Sequence, residues 1–359
     1  MQSTNRDYSL DLIRAIAVTL VIFHHFFQEI NSSKYPFFVQ HLIQFFLAHG
    51  AYGVQLFFAV SGYIMISKYE IIPSFFKYML LRYTRLVPML SVIVLFNFVL
   101  FTVFQTQEVD ILSSIPSILI VDPQIFNSIF NTNTFKWVDD SFWTLFVEIR
   151  FYFLFGLTIK ILGSRNLLVK KIALSALCMF SQLTYVASDV LNLDLIHKLC
   201  FWILIPDHLI YFLVGVIVYS PKTINIKSLL LFLLPIEFVY IIMQLSKSPF
   251  ANINLLPEQP ITLILYFSFI FFAFYISKQL TTKFTTLQIV AKAIGSPSYI
   301  SYLLHQNFFL FIFPYFSKTF DHVILCLLVY FLVIIISIFL SKNIEPMLIK
   351  LLRSKFQFK

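Results

Sequence analysis

Long apolar stretches separated by short polar segments run along almost the whole chain. A helix needs about 20 predominantly apolar residues to cross a bilayer core, and on that criterion the pattern predicts ten transmembrane helices. The shorter apolar stretch 111–121 contains Pro116 and is predicted to be an interfacial or re-entrant piece of the loop 105–140. The ten predicted spans are residues 8–28, 41–67, 75–104, 141–162, 170–189, 201–219, 228–246, 260–278, 298–316 and 322–342.

These spans indicate an all-α fold, a polytopic integral membrane helix bundle. The composition agrees, since 59% of the residues are hydrophobic and 12% are charged, whereas soluble domains have about 45–50% and about 25%. The net charge of +9 would suit a nucleic-acid binder only if Lys and Arg were clustered on one water-facing domain. They are spread between the apolar stretches, so we expect no nucleic-acid partner. We expect one membrane domain over residues 1–359, with no appended soluble domain.

The distribution of basic residues predicts the orientation. If the N-terminus is cytoplasmic, 19 of the 26 Lys and Arg residues fall on the inner side, 5 fall in outer loops, and Arg14 and Arg150 lie inside spans. Cytoplasmic segments of membrane proteins carry an excess of Lys and Arg. Both termini are therefore predicted to be cytoplasmic.

The first span carries ionisable residues at membrane depth, where each costs about 2.5–3.5 kcal/mol on insertion scales. Asp11 and Arg14 are three residues apart and can neutralise each other on one helix face. Arg14 and His25 are eleven residues apart, which returns to within about 20° of the same face. The helix is thus predicted to point a cation and, nearer its outer end, an imidazole into the bundle, with His25 rather than His24 facing inward. A snorkelling arginine with interfacial histidines is the alternative that spacing leaves open.

Glu148 in the fourth span lies at a depth comparable with that of His25. The two could share one cavity, where a carboxylate and an imidazole are suited to proton transfer. An ion pair between Glu148 and Arg150, or another buried cation, is the alternative.

Two further patterns concern the second and third spans. Gly50, Gly53 and Gly62 interrupt the second span and predict either close backbone packing or a broken helix lining a cavity. Arg82 and Arg85, at a helix entrance on the inner side, are suited to phosphate oxygens. The alternative for the two arginines is ordinary positive charge on the cytoplasmic side.

Taken in order, these segments resemble the bacterial membrane acyltransferase 3 family, whose members include O-antigen and other polysaccharide O-acetyltransferases. The spacing from Arg14 to His25 matches the family, as do the paired arginines Arg82 and Arg85. At Gln55, Ile149 and Arg150 the chain departs from residues that the family often has. The matching segments are LDLIRAIA at 10–17, GVQLFFAVSGY at 53–63, FWTLFVE at 142–148 and SYISYLLH at 298–305.

The resemblance implies transfer of an acyl group, most simply acetyl, from cytoplasmic acetyl-CoA to a hydroxyl of a surface glycan at the bacterial inner membrane. It implies that Arg82 and Arg85 hold the CoA phosphates and that Arg14 lies along the path of the donor. His25 would be the general base or a transient acyl carrier, with Glu148 orienting the imidazole or stabilising its protonated form. The candidates for contacts with the acceptor or the pore are Trp143, Tyr299 and Tyr302, and His305 is a further candidate for substrate binding.

Besides acyl-CoA, the implied partners are a lipid-linked or surface polysaccharide and membrane lipids. We expect no metal, because the histidines lack a ligand-spaced set of Cys, Asp or Glu. One alternative function is a transporter or flippase for a lipid-linked glycan or small solute, with the charged residues forming a substrate path. Another is an acyltransferase that acts on a peptide, an antibiotic or a small lipid rather than a polysaccharide. Transporters commonly have paired halves with corresponding broken helices, and the sequence has no such internal symmetry.

Overall fold

The computed structural model describes residues 7–69, 71–104, 114–219 and 260–355. Every regular element in these ranges is helical, as the apolar pattern predicts. The predicted span 228–246 lies outside the described residues. The α-helices are α1 Tyr8–Phe27, α2 Phe37–His49, α3 Gly53–Lys68, α4 Phe75–Phe104, α5 Ile115–Leu119, α6 Pro123–Phe130, α7 Trp143–Leu162, α8 Leu167–Val190, α9 Asp194–Leu204, α10 Leu209–Val218, α11 Pro260–Lys283, α12 Thr285–Val290, α13 Ser298–Phe316, α14 His322–Asn343 and α15 Glu345–Lys355.

Within the described residues, six helical segments are long and apolar enough to cross a membrane. They overlap six of the predicted spans. Helices α7, α11 and α13 lie at the predicted spans 141–162, 260–278 and 298–316, but they are not among these six segments. The total of ten spans therefore stays a prediction. The six segments are Tyr8–Phe27, Phe37–Lys68, Phe75–Val103, Leu167–Asp189, Asp194–Val218 and His322–Leu352.

The chain divides into two compact units. The first combines Met1–Val54, Leu80–Ile149 and Phe284–Lys359, and the second combines Gln55–Met79 and Arg150–Lys283. All the site residues predicted from the sequence belong to the first unit.

The predicted second span, 41–67, is not one continuous helix. It consists of α2 and α3 joined by the 3₁₀ turn Gly50–Tyr52, so the interruption expected at the glycines is confirmed. The glycines also pack closely, because a Cβ at Gly53 would lie 2.3 Å from the carbonyl oxygen of Ala17 and one at Gly50 would lie 2.6 Å from that of Leu20. Only glycine allows the turn to approach α1 this closely.

The predicted sixth span, 201–219, also consists of more than one helix. Helix α9 ends at Leu204 and α10 begins at Leu209, with Ile205 between them in the left-handed conformation at φ 52°. A left-handed residue ends a helix, and the following Pro206 has no backbone N–H with which to continue it. In the second unit, α10 packs on α3 so closely that a Cβ at Gly215 would lie 1.8 Å from the carbonyl oxygen of Ala59.

Helix α1 lies at the centre of the first unit. Its C-terminal half stacks on α13, with the rings of Phe26 and Phe309 4.0 Å apart. Its N-terminal half packs on the π-helical turn Ala291–Gly295, where a Cβ at Gly295 would lie 1.8 Å from the carbonyl oxygen of Asp11. Short π-helical turns are rare and frequently occur at functional sites. Both contacts fix the helix that carries Arg14 and His25.

Candidate active site

Two histidines from different helices meet in the first unit. The Nε2 atom of His305 on α13 lies 3.1 Å from the Nδ1 atom of His25 on α1, and the ring centroids are 4.9 Å apart. The side chain of His305 is completely buried, whereas that of His25 is half-buried. The structure thus joins a residue expected to be catalytic to one expected to contact the substrate, a pairing that the sequence did not predict.

Backbone carbonyls orient both rings. The Nδ1 of His25 lies 3.0 Å from the carbonyl oxygen of Val21, and the Nδ1 of His305 lies 2.6 Å from that of Tyr302. Because a carbonyl oxygen can only accept a hydrogen bond, each Nδ1 is the donor. His24 is engaged elsewhere, with its Nδ1 3.2 Å from the carbonyl oxygen of Phe46 on α2. The structure therefore places His25, and not His24, against α13.

The segment before α7 is hydrogen-bonded to residues of α13 that come before and after His305 in the sequence. The hydroxyl of Tyr302 donates to the carbonyl oxygen of Ser141 at 2.9 Å, and the amide Nδ2 of Asn307 donates to that of Val138 at 2.9 Å. The carboxylate of Asp139 accepts from the backbone N–H groups of Ser141 at 2.9 Å and Asn307 at 3.3 Å. This network holds the start of α7 against the helix that carries His305.

Asp139 is unusual among these groups because it is a carboxyl only 2% exposed. Burial raises its pKa from 3.8 to about 6, although its hydrogen bonds with Ser141 oppose that shift. A carboxyl in this position is therefore partly protonated at mildly acidic pH.

Glu148 lies on the face of α7 that is turned towards Tyr302. Thr144, one helical turn earlier on the same face, has its hydroxyl 3.0 Å from that of Tyr302. Glu148 itself is half-buried and close enough to the Tyr302 hydroxyl to interact with it electrostatically. Among the described residues, the hydrogen-bond partners of the His25 ring are Val21 and His305, and Glu148 is not one of them.

The predicted pairing of Asp11 with Arg14 is confirmed. Their side chains form an ion pair at 3.4 Å on α1, with 6% and 21% of the side chains exposed. Arg14 thus remains charged and half-buried one helical turn from the close contact between Asp11 and Gly295. Arg150, which also lies inside a predicted span, belongs to the second unit and donates to the carbonyl oxygen of Phe201 at 2.6 Å.

Arg82 and Arg85 lie one turn apart on α4. Arg82 is largely buried, and Arg85 is half-buried and interacts electrostatically with Glu345 at the start of α15. Next to them, the hydroxyl of Tyr299 donates to the carbonyl oxygen of Leu86 at 2.8 Å, so this tyrosine fixes α4 to α13. Sequence reasoning missed Glu345, because an acidic residue near a basic C-terminal helix gave no signal of its own.

Trp143 is the first residue of α7 and is half-buried. In the part of the chain that the structure describes, no group of three or more His, Cys, Asp or Glu side chains could hold a metal ion.

The six apolar helical segments of membrane length are typical of a multi-pass membrane protein. The family model described as an acyltransferase domain, of the acyltransferase 3 type, matches residues 7–342. The chain therefore belongs to this family, as the sequence motifs predict, and it is a membrane acyltransferase. Searches of curated proteins and of solved structures found no match.

Proposed function

We propose that the protein is an O-acyltransferase of the bacterial inner membrane. It moves an acyl group, most simply acetyl, from cytoplasmic acyl-CoA to a hydroxyl of a glycan on the outer side, such as lipopolysaccharide O-antigen or another exopolysaccharide. Ten spans with both termini in the cytoplasm complete the proposal. The observation that carries it is the histidine pair His25–His305, which lies within the region that matches the family.

The proposed binding of the acyl donor depends on arginine side chains. Arg82 and Arg85 lie on one face of α4 at a separation of three residues, and guanidinium groups bind phosphate oxygens in bidentate geometry. Glu345 faces Arg85, so a bound phosphate would compete with this carboxylate for one of the two arginines. Arg14 would interact with the donor deeper in the bundle, and the acyl donor would place its thioester near His25.

The chemistry requires a base at the acceptor hydroxyl. His25 takes the hydroxyl proton on Nε2 while the oxygen forms a bond to the acyl carbon. As the carbon–sulfur bond breaks, His25 returns that proton to the leaving thiolate, and the base is ready for another cycle. Glu148, near Tyr302, adds negative potential that stabilises the transient imidazolium. Trp143, Tyr299 and Tyr302 are proposed to line the route of the acceptor.

A binding measurement tests the donor assignment. The purified protein in lipid nanodiscs is expected to bind labelled acetyl-CoA, and replacing both Arg82→Ala and Arg85→Ala should weaken the Kd about 100-fold, since each charged hydrogen bond contributes about 1.5–3 kcal/mol. Lys77→Ala on the same helix is the matched control, because this exposed cation lies outside the pair. Wild-type protein without affinity for acetyl-CoA would favour a transporter, and an unchanged Kd in the double variant would leave the arginines with a topological role only.

A further inference from the structure

The geometry points to a role for His305 that we propose as new: it is the positioning residue that fixes the tautomer of the catalytic base His25. His305 accepts the Nδ1–H of His25 and so leaves the lone pair of His25 on Nε2. This inference rests on the proposed function, in which His25 is the base. The neutral imidazole of His305 thus orients His25, a task that the family resemblance implied for Glu148.

The positions of the protons follow from three hydrogen bonds. The Nδ1–H of His305 is committed to the carbonyl oxygen of Tyr302 at 2.6 Å. A neutral imidazole carries one proton, so the Nε2 of His305 has a lone pair. This lone pair faces the Nδ1 of His25 at 3.1 Å, and the carbonyl oxygen of Val21 faces the same atom at 3.0 Å. Two acceptors thus converge on one nitrogen.

The alternative tautomer of His25 is disfavoured for the same reason. With its proton on Nε2, the lone pair on Nδ1 would point at two other lone pairs, on the Val21 oxygen and on His305. This tautomer would lose two hydrogen bonds and introduce electrostatic repulsion between the lone pairs. In surroundings of low dielectric, unmade hydrogen bonds are costly. His25 therefore presents an unprotonated Nε2, the atom that a general base requires.

The same arrangement supports the base during turnover. When Nε2 takes the hydroxyl proton, His25 becomes an imidazolium whose Nδ1–H is donated to His305 and Val21. Hydrogen bonds from a charged donor are about twice as strong as neutral ones. His305 keeps its own proton throughout, so the proton count of the pair changes only at the Nε2 of His25. A base oriented by a third group is the general logic of nucleophile–base systems.

His305 is held rigidly enough for this task. It is fully buried, its Nδ1 is bonded to the backbone of Tyr302, and the residues Tyr302 and Asn307 on either side of it are tied to the segment before α7. The titratable group that interacts with both rings is His24, whose ring centroid is 5.3 Å from that of His25, whereas the carboxyls of Asp139 and Glu148 interact with the hydroxyl of Tyr302. A positioning residue needs such fixed geometry to select one tautomer.

Two substitutions at His305 separate positioning from packing. His305→Leu removes the acceptor while keeping a buried side chain, and we expect kcat for acetyl transfer to fall by about 100-fold or more, with KM for acetyl-CoA within about threefold of wild type. His305→Gln can place its Oε1 near the position of the imidazole Nε2 and is expected to recover about a factor of 10 in kcat. His24→Leu is the matched control, expected to keep kcat near the wild-type value because His24 is bonded to α2.

The outcomes are distinguishable when kcat, KM and the Tm of each purified variant are measured together. Unchanged kcat in His305→Leu, or equal losses in the Leu and Gln variants at equal Tm, would overturn the inference and leave His305 as a packing residue. If His305→Leu does not fold, the Gln variant decides, because a folded Gln variant as inactive as His25→Ala overturns the inference and one within about tenfold of wild type supports it. Full activity of His25→Ala would instead overturn the proposed function.

Discussion

The Nδ1 of His25 contacts both the carbonyl oxygen of Val21 and the Nε2 of His305, and both acceptors are neutral. Many histidine bases are oriented by a carboxylate, but a carboxylate at membrane depth is expensive. A buried imidazole supplies the same acceptor without a second buried charge. The residue that would carry negative charge, Glu148, lies beside Tyr302 rather than in the hydrogen-bonded pair.

The sequence identified both histidines but not their pairing. Helix phase indicated which face of α1 His25 occupies, because eleven residues nearly complete three turns. Phase on one helix says nothing about how a partner helix is rotated, and 280 residues separate His25 from His305. The partner could therefore be assigned only once α1 and α13 were packed together.

The buried carboxyl of Asp139 is expected to make the stability of the folded protein depend on pH. Its folded-state pKa, raised by burial to about 6 from 3.8, means that the folded protein binds this proton more tightly than the unfolded chain. This proton binding contributes to the free energy of unfolding in full below pH 4, and the contribution is lost as the pH rises through 6. Between pH 4.5 and 8 the free energy of unfolding should fall for this reason by on the order of 2 kcal/mol. Asp139→Asn removes the titrating group, so the difference in Tm, variant minus wild type, should increase from pH 4.5 to pH 8.

Thermal melts of both purified proteins across that range provide the measurement. The comparison cancels the titration of the histidines, which both proteins share. A Tm difference that stays constant with pH would show that Asp139 has the same charge in the folded and unfolded states.

At the scale of elements, close backbone contacts at glycines determine where α1 lies. The turn at Gly50 and Gly53 packs on one part of the helix, and Gly295 packs on another. The sequence predicted the first of these, because glycines and a glutamine interrupt an otherwise apolar span. It did not predict the π-helical turn or the break between α9 and α10, although Pro206 stands in the predicted sixth span.

The contact at Gly295 leads to a test of this arrangement. A Cβ there would lie 1.8 Å from the carbonyl oxygen of Asp11, so Gly295→Ala must displace α1, and with it Arg14 and His25. We expect a lower Tm, since overpacking costs about 1–3 kcal/mol, together with loss of acetyl transfer.

Gly163→Ala is the matched control for that substitution. Gly163 has a φ of 56° but no atom within 4 Å of an added Cβ, so alanine there should cost about 1–2 kcal/mol of backbone strain and leave transfer intact. Equal activities in the two alanine variants would contradict the idea that the α1 contact positions the site.

At the scale of the whole molecule, the fold class and the family followed from the sequence. The apolar pattern predicted an all-helical membrane protein, and ordered motifs from the first span to His305 predicted the family that matches residues 7–342. The number of spans and the cytoplasmic position of the termini remain predictions, because they rest on charge distribution and no contact within the protein reports which side of a membrane a loop occupies. The identity of the acceptor is also a proposal, because a hydroxyl group has few chemical features that a sequence motif could identify.

The proposed function requires His25 as the base for transfer of an acyl group from cytoplasmic acyl-CoA to a surface glycan. The most direct measurement compares wild-type, His25→Ala and His24→Ala proteins at equal membrane abundance, by the labelled acetyl that cells deposit on their surface polysaccharide. We predict background labelling with His25→Ala and near wild-type labelling with His24→Ala, because His25 is hydrogen-bonded to His305 whereas His24 is bonded to the carbonyl oxygen of Phe46 on α2. Undiminished surface acetylation by His25→Ala would contradict it.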